Sequence, residues 1–181
     1  MYCLNIFKMT LFNETYVEKL YYKSDELMSE GAYAEAKEVL TELLAEDPTF
    51  ALAHNALGWI YTHHLLNYEK AETHLKLSVK YGKGVVVGYN NYASLLLEMN
   101  KYVELREFVD ANLNVPGVDK AYFLALKAIT LEVERKYALA LKVFDEAKTY
   151  TLNTDFISRI ETDKSRVKQK MGAIARMVAL F

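Results

Sequence analysis

The chain has 181 residues, of which 52% are hydrophobic, and its formal net charge is -2 with an isoelectric point near 6.1. This composition provides enough apolar side chains for a packed core and excludes disorder as the main state. It gives no overall attraction to polyanions, so a nucleic-acid or anionic-membrane function would have to rest on a local patch. The single cysteine, Cys3, cannot form an intramolecular disulfide, and we therefore expect a reducing, cytoplasmic location.

The apolar start of the chain does not have the features of a targeting signal. It lacks a basic beginning, contains Lys8 and shows no clear small-residue cleavage site. We interpret residues 1–13 as an N-terminal extension, and Met9 offers an alternative start. No run of about eighteen uninterrupted apolar residues occurs, so we expect no membrane span.

Helix dominates the rest of the pattern, because apolar residues recur at steps of three and four in blocks separated by Gly, Pro and Asn. Pro48 and Pro116 both fall at block ends, where a helix is expected to stop. Val85, Val86 and Val87 form the one strand-like run, which we expect to open a helix because it has no partner strand. The sequence therefore predicts an all-α protein.

Three columns of residues recur with a period of 34 or 35. The first is aromatic, the second small, and the third small except at one place. They are Tyr33, Tyr68, Tyr102 and Tyr137; Ser24, Gly58, Ala93 and Ala128; and Ala36, Ala71, Leu105 and Ala140. Periods of this size are typical of stacked helix-turn-helix units, each too small to bury its apolar face alone. We interpret the small residues as sites where helices cross closely.

At these positions the sequence resembles the tetratricopeptide repeat (TPR) family. The second unit matches its pattern best, with His54, Leu57, Gly58, Tyr61, Tyr68, Ala71 and Leu75. An extra residue lengthens its turn, between His63 and Tyr68. The resemblance implies a right-handed superhelix of about four TPR-like helix-turn-helix repeats with a C-terminal capping helix. The array would cover residues 14–154, in units of about 17–50, 51–85, 86–120 and 121–154.

After Thr154 the pattern becomes that of one long helix, 155–181, which we expect to cap the array through Ile160, Val167 and Ile174. Its six cations are Arg159, Lys164, Arg166, Lys168, Lys170 and Arg176. They could form a solvated back or contact an acidic partner or a membrane surface. Its apolar end, at Met177, Val178, Leu180 and Phe181, leaves self-association of the chain into a homo-oligomer open.

Catalysis finds little support, because the chain contains no GxGxxG, GxxxxGK[ST], HExxH or GxSxG motif. His63 and His64 are adjacent and point in different directions around a helix, so they cannot chelate one ion. We therefore predict no enzyme activity, no catalytic residues, no metal site and no cofactor.

In the TPR family the first helix of each unit lines a concave groove, which implies that function lies there. The groove-facing residues in this sequence should be Tyr21, Tyr22, Asp25, Asn55, Trp59, Thr62, His63, Asn90, Asn91, Ser94, Leu97, Tyr122, Leu126 and Ile129. Trp59 is expected to act as an anchor without packing neighbours from its own hairpin. None of these residues is Lys or Arg, so a clamp for a C-terminal carboxylate and a basic RNA-binding face are both disfavoured.

Asn55 and Asn90 occupy equivalent places one repeat apart, and Asn91 follows directly. Each amide offers a donor and an acceptor, so such residues could hold the backbone of an extended peptide. They could equally be tolerated on a solvated face. The leading hypothesis is a non-catalytic adaptor or scaffold that binds a protein or peptide partner in the groove. The alternative is a structural or self-associating component that uses its apolar ends.

Overall fold

The computed structural model describes residues 2–178 of the chain, with side chains over residues 16–172. In that part the chain forms nine α-helices and no strand, which confirms the predicted all-α repeat fold. The helices are α1 (Tyr2–Ser29), α2 (Tyr33–Glu46), α3 (Ala51–His63), α4 (Tyr68–Tyr81), α5 (Val86–Glu98), α6 (Tyr102–Asn112), α7 (Lys120–Val133), α8 (Tyr137–Lys148) and α9 (Thr154–Val178). Residues 2–13, interpreted above as an extension, are helical and belong to α1. The valine run does open a helix, α5.

Local signals in the sequence set where several helices begin. The side chains of Asn67 and Asp119 accept hydrogen bonds from the backbone N–H groups of Lys70 (3.1 Å) and Tyr122 (3.0 Å). These bonds satisfy N–H groups that have no partner within the first turns of α4 and α7. Asn153 does the same for α9 by accepting from the N–H of Phe156 at 3.0 Å.

The turn before each recurrent Tyr contains one residue with a left-handed backbone, two places ahead of the Tyr. These residues are Gly31 (φ 79°), Leu66 (φ 48°), Asn100 (φ 57°) and Arg135 (φ 60°). Such a residue ends a helix and reverses the chain. The turn before Tyr68 has four residues between the helices and the other three turns have three, which confirms the predicted extra residue.

The chain divides into two compact units, with the boundary between Leu95 and Leu96 near the end of α5. The core of unit 1 is built by α1, α2 and α3, with α4 packed along α3. Its buried side chains include Leu20, Leu40, Leu43, Leu57 and Ile60. The predicted division of the chain into extension, repeats and capping segment stays a prediction.

The core of unit 2 is built by α7, α8 and α9, and α6 packs on α7. Ile160 and Val167 of α9 are buried there with Phe144, so the predicted inward row of the last helix is confirmed for these two residues. The side chain of Ile174 lies outside the described residues. In the described residues no helix is long and apolar enough to span a membrane.

The small columns lie at close crossings, as the period predicted. Ser24, Ala71, Ala93 and Ala128 are all buried. A Cβ atom added to Gly58 would lie 2.5 Å from Cγ of Leu75, which is closer than two carbon atoms can approach. Only glycine lets α3 and α4 approach this closely.

Candidate functional site

The first helices of three successive helix pairs line one cavity in unit 1. This first-helix pocket has a volume of about 320 Å³. Its walls come from α1, α3 and α5, and its lining residues are Tyr21, Ser24, Asp25, Met28, Leu52, Asn55, Ala56, Trp59, Val87 and Asn91. Five of the residues predicted for the groove lie here: Tyr21, Asp25, Asn55, Trp59 and Asn91. Ser24 belongs to a packing column, and Met28 is not among the residues predicted for the groove.

Two side-chain amides meet in the wall of this pocket. Nδ2 of Asn91 donates a hydrogen bond of 2.9 Å to Oδ1 of Asn55. The bond leaves both N–H groups of Asn55, the second N–H of Asn91 and the oxygen of Asn91 for other partners. The pair therefore presents one donor end and one acceptor end, which is the complement of a peptide group.

Sequence reasoning placed Asn90 in the equivalent position to Asn55, but Asn91 is the residue that pairs with it. Oδ1 of Asn90 is buried and has no hydrogen-bond partner in the described part of the chain. The reason is that the repeat fixes where a backbone position lies, while contact between two side chains depends on which way each one projects. The neighbouring asparagine has the projection that reaches α3.

Trp59 lines the first-helix pocket and has three aromatic neighbours. Its ring centroid is 5.7 Å from that of Tyr33, 5.1 Å from that of His63 and 5.0 Å from that of His64. The expectation that it would have no packing neighbours from its own hairpin was therefore wrong. His63 and His64 follow Trp59 by four and five residues, and the end of α3 brings their rings back against it. The indole is held in place rather than free.

The electrostatics of the first-helix pocket are set by one carboxylate. Asp25 is the one Asp or Glu in the lining, which contains no Lys or Arg. Burial and then the charge of Asp25 raise the pKa of Tyr21, so its hydroxyl stays a neutral donor at physiological pH. The ring of Tyr21 packs against Phe50, with centroids 5.4 Å apart. The pocket thus combines aromatic walls with a weakly acidic rim.

Several predicted groove residues lie elsewhere. Thr62 and Leu126 are 5% and 2% exposed, so both are core residues, and the prediction was wrong for them. Thr62 turns its hydroxyl back to donate to the carbonyl of Gly58 at 2.9 Å, which lets a polar residue occupy a buried place. Tyr22, His63 and Ser94 are exposed outside the pocket, and Leu97 and Ile129 are half-buried.

Tyr122 lines a separate cavity in unit 2. This cavity has a volume of about 270 Å³, and its lining residues are Asp119, Tyr122, Thr151, Asn153, Asp155, Phe156 and Arg159. It is formed where α7 and α9 begin. Of the predicted groove residues only Tyr122 takes part in it.

Sequence reasoning missed a second cavity of unit 1, which we call the histidine pocket. Its volume is about 650 Å³, and its lining residues are Thr41, Leu44, Ala45, Pro48, His54, Leu57, Tyr61, Lys70, Thr73, His74, Leu77 and Tyr81. Nδ1 of His54 and Nδ1 of His74 are 3.0 Å apart, and Nε2 of His54 is 3.0 Å from the carbonyl oxygen of Pro48. The sequence signal was a histidine in the packing column of α3. Its partner could not be read because it lies twenty residues away on α4.

The basic residues of α9 are largely engaged within unit 2. Glu132 of α7 is buried, and it accepts hydrogen bonds from Arg166 at 2.6 and 2.9 Å and from Lys170 at 2.7 Å. Burial acts to raise the pKa of Glu132, but these hydrogen bonds and charges bring it below its usual value. Lys164 is paired with Asp145 and Glu161. Arg166 and Lys170 are therefore ion-paired while their side chains stay 44% and 50% exposed, and Lys164 is buried.

No group of three or more His, Cys, Asp or Glu side chains suited to a metal ion occurs among the described residues. Neither a protein-family model nor a curated protein sequence matches the chain.

Solved structures show which fold this is. The chain is similar to PilF of Pseudomonas aeruginosa, with a TM-score of 0.68 and 16% identity over 91% of this chain and 77% of PilF. It is similar to MamA from Desulfovibrio magneticus RS-1, with a TM-score of 0.67 and 13% identity over 91% of this chain and 94% of MamA. It is also similar to YrrB, a TPR protein with an unusual peptide-binding site, with a TM-score of 0.61 and 14% identity over 78% of this chain and 74% of YrrB. The chain has a TPR-like helical repeat fold.

Proposed function

We propose that this chain is a non-catalytic protein-interaction module that binds an extended peptide segment of a partner in the first-helix pocket. The observation that carries the proposal is the pairing of Asn55 with Asn91 beside Tyr21 and Trp59. The amide pair offers a donor and an acceptor to a peptide group, and the rings of Tyr21 and Trp59 offer rigid apolar surface in the same pocket. Aromatic anchors of this kind supply most of the binding energy at many interfaces.

The charge of the first-helix pocket limits which peptide segments it can be expected to bind. With Asp25 as its one carboxylate and no lining Lys or Arg, the pocket favours a neutral or basic segment over an acidic one. The fold shared with YrrB, which has a peptide-binding site, supports the same class of function. The alternative, a structural or self-associating component that uses its terminal apolar surfaces, involves side chains outside the described residues.

A displayed library of random peptides provides a probe that does not depend on the identity of the partner. We expect selected peptides to be depleted in Asp and Glu and to change the fluorescence of Trp59, which is the single tryptophan of the chain. Asn91→Ala should weaken binding by about 0.5–1.5 kcal/mol through the lost amide pair. Trp59→Ala should weaken it by about 2 kcal/mol or more.

Tyr150→Ala is the matched control, because Tyr150 is also a tyrosine but is 53% exposed and lies in unit 2, outside the lining. It should leave peptide affinity unchanged, and thermal melts of each variant should show that the fold is retained. Peptides that bind all three variants as well as the parent would refute the first-helix pocket as the site. Sedimentation of the parent alone tests self-association.

A further inference from the structure

The two imidazoles of the histidine pocket have a fixed pattern of protons. A carbonyl oxygen can only accept, so Nε2 of His54 must carry the hydrogen that it shares with Pro48. In the neutral ring, Nδ1 of His54 then carries a lone pair, and it accepts a hydrogen bond from Nδ1–H of His74 at 3.0 Å. With its hydrogen on Nδ1, neutral His74 keeps a lone pair on Nε2.

The geometry of the pair is that of a hydrogen bond and not of a metal chelate. The ring centroids are 5.3 Å apart while the two Nδ1 atoms are 3.0 Å apart, so the rings lie end to end along the N···N line. Ligands of a tetrahedral ion would instead converge from an angle on a point beside that line. The space between the rings suits one hydrogen atom.

The charges around His74 are favourable to an anion. Lys70 is four residues earlier on α4 and so lies on the same face of the helix. Its ammonium group is over the ring of Tyr61, 5.5 Å from the centroid, and has no carboxylate partner among the described residues. The titratable groups facing His74 are His54 and Tyr61 from α3 and Lys70 and Tyr81 from α4. The charge of Asp47, in the loop between α2 and α3, acts to raise the pKa of His54.

The remaining walls are mainly apolar, and Thr41 and Thr73 are their polar members. Leu44, Leu57 and Leu77 and the rings of Tyr61 and Tyr81 line a cavity of about 650 Å³. That volume lies within the range of small-molecule sites, which are mainly apolar with a few placed polar groups. The lining contains no Asp or Glu. A ligand that complements it has an apolar body and one negative charge.

We propose that the histidine pocket binds a small organic carboxylate, whose charge is held by Lys70 Nζ and by Nε2 of His74 after that nitrogen takes up one proton from solvent. The incoming carboxylate stays ionised, and His74 becomes an imidazolium that still donates Nδ1–H to His54. The hydrogen bond between the two rings is therefore kept. Burial lowers the pKa of unliganded His74 to about 4, so proton uptake accompanies binding at neutral pH and affinity rises as pH falls.

The test uses 3-phenylpropanoate as the probe, with 3-phenylpropanamide as its neutral analogue of the same shape. Calorimetric titration at pH 7.5 and 6.0 gives the affinities, and long-range ¹H–¹⁵N NMR follows the ring nitrogens of His54 and His74. We expect the carboxylate to bind about tenfold more tightly than the amide, and about threefold or more tightly at pH 6.0 than at pH 7.5. The ¹⁵N shift of His74 Nε2 should move to that of a protonated nitrogen.

Variants separate the charge from the shape of the pocket. Lys70→Met should weaken the carboxylate about fivefold or more without changing the amide. His74→Gln should abolish the pH dependence. Lys76→Met, on the same helix but outside the lining, should change nothing. Equal binding of carboxylate and amide, or saturation with no change at either histidine, would overturn the proposal. So would an equal loss of affinity in the Lys70 and Lys76 variants.

Discussion

The second repeat, in unit 1, and the fourth repeat, in unit 2, have different residues at two equivalent positions. On the first helix, α3 has His54 where α7 has Leu124, and on the second helix, α4 has His74 where α8 has Val143. In unit 1 the two residues form a hydrogen-bonded pair in the wall of a cavity. In unit 2 both are buried in the apolar core. The same repeat position can therefore line a cavity in one unit and fill the core in the other, with the small columns beside it kept.

The same contrast holds at the next position of the first helix, immediately after His54 and Leu124. Asn55 lines the first-helix pocket of unit 1, while the corresponding Ala125 is buried in the core cluster of unit 2. Unit 2 has an ion-pair network instead at the contact between α7 and α9, with Glu132 of α7 against Arg166 and Lys170 of α9. Unit 1 keeps amides and imidazoles at cavities, and unit 2 uses charge to hold its last helix.

The largest effect that we expect tests the role of charge in unit 2. In the double variant Arg166→Met, Lys170→Met, Glu132 is left buried without its cations, which should cost about 3 kcal/mol of unfolding free energy at pH 7. Hydrogen exchange of the core amides of α8 measures it. Lys168→Met, an exposed cation on the same helix, is the control.

The pH dependence of the stability loss shows whether the double variant is destabilised by an unpaired charge or by lost packing. In the parent the pKa of Glu132 is lowered, so its contribution is present above the ordinary pKa of a glutamate and is lost as pH falls through the folded value. In the double variant burial without partners should raise that pKa, so the deficit should shrink as pH falls towards 4. A deficit that does not change with pH would mean that the long side chains act through packing alone.

The second prediction concerns the close crossing in unit 1. Gly58→Ala places a Cβ 2.5 Å from Cγ of Leu75, and we expect a loss of about 2 kcal/mol through overpacking. In a Leu75→Ala background the same change should cost almost nothing, because the clashing atoms are gone. Urea melts followed by Trp59 fluorescence give the four free energies. A loss that persists in that background would place the strain elsewhere.

The period of 34 and 35 residues was enough to predict the helices, the extra residue before Tyr68 and the burial of the small columns. It was not enough to predict which side chains touch. Asn90 rather than Asn91 was expected to act with Asn55, and Thr62 was expected at the surface. Both errors come from side-chain direction and local hydrogen bonding, which a backbone register does not contain. The pairing of His54 with His74 joins two helices and has no counterpart in the other repeats to reveal it.

The third prediction concerns the histidine pair of unit 1, which we replace with the residue types found at the equivalent positions of unit 2, Leu and Val. Because the folded pKa of His74 is about 4, the unfolded chain binds more protons between pH 6.5 and about 4. Stability from this group is fully present above pH 6.5 and declines as pH falls through that window. A shift of this size corresponds to about 3 kcal/mol for an enclosed group, and about half that for half-buried His74, where water screens the charge.

The double variant His54→Leu, His74→Val should therefore lose less stability than the parent between pH 7 and 5. Thermal melts at several pH values, followed by Trp59 fluorescence, make the comparison. Parallel pH curves for the parent and the double variant would show that the pair does not govern the acid response of unit 1.

The smallest effect concerns the turns, where unit 1 and unit 2 reach the same left-handed backbone with different residues. The turn of the third repeat, in unit 2, uses Asn100, a residue type that tolerates this conformation, whereas the turn of the second repeat, in unit 1, uses Leu66 with φ 48°. Leu66 is 67% exposed, so its side chain contributes little packing to offset the strain of the left-handed conformation. Leu66→Gly should therefore stabilise unit 1 by about 0.5–1 kcal/mol, and Leu66→Asn by somewhat less. Gly31→Ala, in the equivalent turn of the first repeat, should destabilise by a similar amount, since its φ of 79° disfavours a side chain. If Leu66→Gly instead lowers the melting temperature, the leucine makes a contact that outweighs its backbone strain, and the turn before Tyr68 is held by its side chain rather than by its backbone.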